Sequence, residues 1–158
     1  MAGKQQGDPR WANLADSILI IAREIQFRGY ADPRAIPLSP SEAMVMRYLQ
    51  DTAAAPPSQI ATATGLQRTN LSTILRGLEQ KGLVERRADS EDGRGVIVHR
   101  TLLGANNYAR VREEWSATVS AAACNDTSGL DGALEVLRSV ENGLVANRSS
   151  SPRTRREA

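Results

Sequence analysis

Between Leu66 and Arg100 the sequence passes from a helical period to a strand period with no linker between them, and few folds accept that succession. Leu71, Ile74, Leu75 and Leu78 fall at i, i+3, i+4 and i+7, so they share one face of a helix. The opposite face carries Arg68, Thr69, Asn70, Ser72, Thr73 and Arg76, which are hydrogen-bonding groups with no carboxylate among them. A face of this kind suits a polar, negative partner, and the DNA major groove is the leading candidate. After Lys81-Gly82 come two short β-rich runs, Leu83–Arg86 and Val96–His99. The polar, glycine-bearing stretch Ala88–Gly95 lies between them, so the pair predicts a hairpin, or wing.

The flanking segments extend this pattern. Ser58–Thr64, opened by Pro56-Pro57 and closed by Gly65, reads as a short helix just ahead of the first one, which makes a helix-turn-helix. Upstream, Ser39-Pro40-Ser41-Glu42 is a strong helix start, with Ser39 as cap, Pro40 at the first helical position and Glu42 closing a capping box. That helix runs to about Gln50. Trp11, Leu14, Ile18, Ile21 and Ile25 recur at helical spacing and predict a long N-terminal helix ending near Gly29. Thr101 is a plausible cap for a helix holding Leu102, Tyr108, Val111, Trp115 and Val119. A last helix carries Leu130, Leu134, Leu137, Val140 and Leu144. The expected fold is mainly α with a small β hairpin. A winged helix-turn-helix lobe over 38–100 is joined to an N-terminal dimerisation helix over 9–29 and C-terminal dimerisation helices over 101–147. Residues 1–8 and 148–158 are expected to be disordered tails.

Composition narrows the function more by exclusion than by sign. The net charge of +2 is too small to argue nucleic-acid binding by itself. No apolar run approaches the roughly 20 residues of a membrane span, and Met1–Arg10 lacks the apolar core of a signal peptide, so a cytoplasmic protein is expected. Cys124 is the single cysteine, which excludes an intrachain disulfide or a cysteine-rich zinc site. His99 stands alone on a strand, without a cluster of ligand spacing. Ser149–Ser151 has no base partner for nucleophilic catalysis, and no glycine-rich phosphate loop is present. The expectation is a non-enzymatic protein with no cofactor and no metal.

Four segments together resemble the MarR family of bacterial winged-helix repressors. Leu38-Ser39-Pro40-Ser41-Glu42 is similar to the family's Leu-Thr-x-x-Gln, and Gln59-Ile60-Ala61 to its Glu-Leu-Ala. Leu78-Glu79-Gln80-Lys81-Gly82-Leu83-Val84-Glu85-Arg86 is close to Leu-Glu-x-x-Gly-Leu-Val-x-Arg. Asp92-Gly93-Arg94, followed by Thr101 and Gly104, is similar to the family's wing and the start of its next helix. Arg100 departs from the usual leucine, and Gln67 from a frequent capping Ser or Thr.

The resemblance implies a homodimer whose terminal helices interlock. The long Ile, Leu and Trp stripes at both chain ends agree, having too little partner surface in one small lobe. A twofold dimer sets two recognition helices roughly 34 Å apart, on a near-palindromic double-stranded operator. The major-groove set is then Gln67, Arg68, Thr69, Asn70, Ser72, Thr73 and Arg76. The resemblance also implies that Arg94 enters the minor groove, with Asp92 bracing the wing, and that a small-molecule effector binds between the dimer helices and the lobe. Trp11, Tyr30 and Tyr48 are the pocket candidates, although core packing is the alternative for all three. The functional expectation is a sequence-specific transcriptional repressor released by an effector. Two alternatives stay open: a winged-helix module for protein contact, and a redox-responsive regulator working through Cys124, whose plainer reading is a small packed residue.

Overall fold

The computed structural model describes residues 7–88 and 95–150, with side chains through 148. Six helices and three short strands follow in the order α1 (Arg10–Phe27), α2 (Pro40–Thr52), β1 (Ala54–Ala55), α3 (Pro57–Thr64), α4 (Arg68–Gln80), β2 (Val84–Ala88), β3 (Val96–Arg100), α5 (Leu102–Ala122) and α6 (Leu130–Ser150). The sheet is antiparallel in the order β1-β3-β2, with Ala55 opposite Val98 and Arg86 opposite Val98 on the other side. Strand β1 has no counterpart in the sequence reading. Two alanines carry no strand signal of their own, and only pairing with β3 defines them. The wing strands also run farther than their apolar residues suggest, to Ala88 and to Arg100.

One core holds the lobe together. Val45, Met46 and Leu49 of α2, Ile60 of α3, and Leu71, Leu75 and Leu78 of α4 meet Leu83, Val84 and Val98 from the sheet side and Tyr108 of α5. Chain ends and caps fix how these pieces meet. The capping box at α2 forms: Glu42 N–H donates to Ser39 Oγ, and Ser39 N–H to the Glu42 carboxylate. The same carboxylate accepts from Lys81 Nζ at 2.7 Å, which ties the start of α2 to the end of α4. Helix α4 closes in a Schellman turn, Gly82 N–H to Glu79 O and Leu83 N–H to Leu78 O, with Gly82 at φ +71°. Leu78 and Leu83 are both fully buried, which supplies the apolar contact that accompanies this turn. Thr101 then caps α5 by accepting from Gly104 N–H, while its hydroxyl donates to Gly82 O. The end of α4, the hairpin and α5 are therefore joined through a few hydrogen bonds.

The connection from α1 into the lobe is held by side chains of α5. Glu114 accepts from the N–H groups of Ala31 and Asp32 at 2.8 and 2.9 Å. Buried Asn107 accepts from Ile36 N–H and donates to Ile36 O. The Arg34 guanidinium on Asp32 holds that carboxyl at about 2. Beyond this anchorage the terminal helices are poorly covered. Helix α1 has no buried residue, and Leu19, Ile20, Ile21 and Phe27 are exposed along it. Leu130, Leu134, Val136, Leu137 and Leu144 of α6 are likewise exposed.

Candidate nucleic-acid interface

Helix α4 presents its two faces as its period requires. Leu71, Leu75 and Leu78 are buried and Ile74 half-buried, whereas Gln67, Arg68, Thr69, Asn70, Ser72, Thr73 and Arg76 are all exposed. Gln67 is the N-cap and its side chain makes no capping bond, as its departure from Ser or Thr leads one to expect. The first turn of α4 contains no acid. Among the described residues neither Arg68 nor Arg76 forms an ion pair, so both guanidinium groups are available to an incoming anion. A helix with free donors on one face and a buried leucine seam on the other is built to be held rigidly while it contacts a polar surface.

The wing strand adds groups that the sequence reading did not single out. Arg86 and Arg68 converge on one hollow of about 410 Å³ between α4 and the sheet, which Ser58 and Ser72 also line. Arg86 reaches Glu79 only at 3.5 Å, while Arg87 pairs with Glu85. The Arg86-Arg87 dipeptide is visible in the sequence, but a two-residue period cannot say which arginine turns toward α4 until the strand is paired. Asp92 and Arg94, expected at the wing tip, lie outside the described residues.

The three effector-pocket candidates do not meet within one chain. Tyr30 lines a hollow of about 240 Å³ with Phe27, Arg28, Leu38 and Trp115, between the end of α1, the start of α2 and α5. Trp115 is oriented there by edge-to-face contact with Tyr108, at 6.4 Å between ring centroids. Tyr48 lies instead in a groove between α2, α3 and α6, beside Arg47, Glu141 and Arg148. Trp11 lines neither and is 57% exposed on the first turn of α1. Trp115 is not among the sequence-based pocket candidates, and only the approach of α5 to the α1–α2 connection makes it a wall of the Tyr30 hollow.

Two other expectations are corrected. Cys124 is exposed and is not packed within the chain. Helix α5 ends at Ala122, and Cys124 and Asn125 follow with positive φ, so the thiol lies in a turn and not on a buried helix face. Arg148 does not belong to a tail, because α6 continues through it and its side chain docks on the lobe. Among the described residues no group of three His, Cys, Asp or Glu side chains is placed to hold a metal ion, and no helix is long and apolar enough to cross a membrane.

A helix-turn-helix with an exposed basic and polar second helix, backed by a hairpin and a three-stranded antiparallel sheet, defines the winged-helix class of lobe. Residues 36–95, the span of this lobe, match the model of the MarR family. No curated protein sequence matches the chain significantly. Among solved structures, the chain is similar to NadR in complex with 4-hydroxyphenylacetate, at 20% identity and TM-score 0.66 over 92% of this chain and 98% of that one. It is also similar to the transcriptional regulator BldR from Sulfolobus solfataricus, at 22% identity and TM-score 0.66 over 87% and 99%. A mutant MarR from E. coli complexed with operator DNA gives 19% identity and TM-score 0.63 over 84% and 96%. At these identities the likeness is one of fold, and it extends beyond the lobe to the terminal helices.

Proposed function

We propose that this protein is a dimeric, sequence-specific DNA-binding transcription regulator, acting in the cytoplasm as a repressor and carrying out no catalysis of its own. The observation that carries the reading is the exposed face of α4, where Arg68 and Arg76, beside Asn70 and Thr73, form no ion pair among the described residues. Asn can pair bidentately with adenine and Arg with guanine, each pairing worth about 1–3 kcal/mol of discrimination. The operator complex of the structurally similar MarR supports the same use of the fold.

The test is fluorescence anisotropy on duplexes selected from a random pool, repeated across salt concentrations. A near-palindromic winner bound by one dimer, with affinity falling steeply as salt rises, is expected. Binding without sequence preference by a reduced, dimeric sample would favour the protein-contact alternative.

Dimerisation is supported by the uncovered apolar faces of α1 and α6. Helices α1 and α5 leave a largely apolar hollow of about 400 Å³, lined by Ile20, Ile21, Ile25 and Val119, which a second copy would fill. Ile21→Asp should shift the mass in solution from dimer to monomer and weaken operator binding at least tenfold, because one lobe alone grips one half-site. Sedimentation alongside anisotropy checks it. A dimer that survives this substitution unchanged would place the interface elsewhere.

The effector site that the geometry favours is the Tyr30 hollow, with Arg28 available to a carboxylate and Tyr30 and Trp115 to an aromatic ring. The complex of the structurally similar NadR with 4-hydroxyphenylacetate makes small aromatic acids the first ligands to try. A ligand releases DNA only by binding the DNA-incompetent state better, and tenfold release needs about 1.4 kcal/mol of that difference.

A further inference from the structure

Part of the wall of the Tyr30 hollow is backbone that is tied to the end of the recognition helix. Gly29 and Tyr30 line the hollow at the start of the α1–α2 connection, and Pro37 and Leu38 line it near the end. Side chains hold this connection from two directions. Glu114 on Ala31 and Asp32, and Asn107 on Ile36, tie it to α5. The carbonyl oxygen of Pro37 accepts instead from Lys81 Nζ at 2.9 Å, and Lys81 is the C-cap of α4.

The Lys81 ammonium is gripped on two further sides. Both carboxylate oxygens of Glu42 accept from it, at 2.9 and 2.7 Å, so three acceptors meet the three donors of an ammonium. Glu42 is buried, and one of its oxygens also accepts from Ser39 N–H at 2.8 Å. Its Oε1 lies against the last turns of α4, 3.2 Å from where a Cβ on Gly77 would stand. A buried ion pair is costly to open, so Pro37, Glu42 and the end of α4 shift together more easily than they separate. Helix α4 rises about 1.5 Å per residue, which puts Arg68 roughly 20 Å from Lys81. A tilt of about 3° about the Lys81 end moves Arg68 by about 1 Å, enough to take a hydrogen bond out of its range of about 2.7–3.2 Å.

We infer that Lys81 is the positioning residue that carries occupancy of the Tyr30 hollow to the recognition helix. A ligand that displaces Pro37 and Leu38 draws the end of α4 with them through the ammonium. This rests on the effector-site and DNA-binding readings above. The coupling is reciprocal, so operator DNA on α4 disfavours a filled hollow by the same factor.

The experiment fills the hollow covalently with a benzyl group. A Cβ added at Gly29 meets nothing within 4 Å, so Gly29→Cys in a Cys124→Ser chain accepts benzyl methanethiosulfonate as a mixed disulfide that reductant removes. Operator anisotropy before and after labelling is compared in this parent chain and with Lys81→Met, Lys81→Arg or Lys81→Met/Glu42→Gln added. The last variant leaves no buried carboxylate without its cation and keeps an acceptor for Ser39 N–H, so it stands in should thermal melts show that Lys81→Met alone does not fold. Labelling is expected to weaken operator binding about tenfold or more in the parent and Lys81→Arg chains, and less than about threefold in the two chains without the cation. A merely structural Lys81 would weaken binding before labelling and leave the labelling ratio unchanged, and that result would overturn the inference. Labelling without effect in any chain would overturn both the coupling and the Tyr30 hollow as effector site, while leaving α4 as the reading helix. A parent chain that selects no operator would sink the DNA-binding reading and the coupling with it.

Discussion

Arg68→Ala is expected to weaken operator binding by about 30-fold to more than 10⁴-fold, because a dimer loses the contact at both half-sites and each bidentate pairing is worth about 1–3 kcal/mol. Arg76→Ala should act in the same direction, and the double variant should lose operator selection. Stability and dimer mass should not change, since both side chains are exposed and unpaired among the described residues. The pattern across duplexes separates two roles. An arginine that reads a base relaxes preference at one position when it is removed. One that holds phosphate weakens all duplexes alike and lowers the salt slope by about 0.9 per contact. Anisotropy on the operator and its single-base variants, with thermal melts as control, gives both readouts. Near-wild-type binding by the double variant would mean that α4 is not the reading helix.

Gly104→Ala should be the most damaging small substitution in the lobe. The added Cβ would lie 2.1 Å from the carbonyl oxygen of Leu83, 2.9 Å from its carbon and 3.1 Å from Met46 Cε. Two of those atoms are backbone, and the same oxygen accepts from Thr101 N–H at 3.1 Å, so neither side can yield without breaking the joint between wing and α5. Overpacking of this kind costs about 3 kcal/mol or more, which lowers the melting temperature by roughly 6–12 °C in a chain of this length. DNA binding should fall as well, because the joint at Leu83, Thr101 and Gly104 sets the end of α4 and the hairpin against α5. Gly132→Ala is the contrast. Nothing lies within 4 Å of the Cβ it would add, and α6 should gain up to about 1 kcal/mol from helix propensity. Calorimetry on the pair checks both signs, and equal melting temperatures would refute the packing argument at Gly104.

Much of the lobe was legible because its signals are local. The capping box at Ser39–Glu42, the left-handed Gly65 and Gly82, and the cap at Thr101 each act within a few residues, and all appear where the sequence puts them. The leucine seam of α4 is legible for a similar reason, since a helical period fixes which residues share a face before any partner is known. Strand β1 was not, because alanine has little strand preference and its only definition is the ladder with β3. Cys124 was misjudged because the end of α5 is set by a left-handed pair, Cys124 and Asn125, with no glycine to announce it. Arg148 was assigned to a tail for its composition. A contact across 84 residues with Thr64 leaves no mark on the sequence near either end.

The sequence by itself determined the order of elements, the two faces of the recognition helix and the surplus of apolar surface at both chain ends, because periodicity, caps and turn residues are short-range constraints. Tertiary structure alone decided which side chains became neighbours. It turned Arg86 and not Arg87 toward Arg68, put Trp115 beside Tyr30 while leaving Tyr48 in a separate groove, and set Arg148 on the turn before α4. Those juxtapositions depend on how rigid elements pack across a common core, and packing geometry is a property of the whole lobe that no single segment encodes.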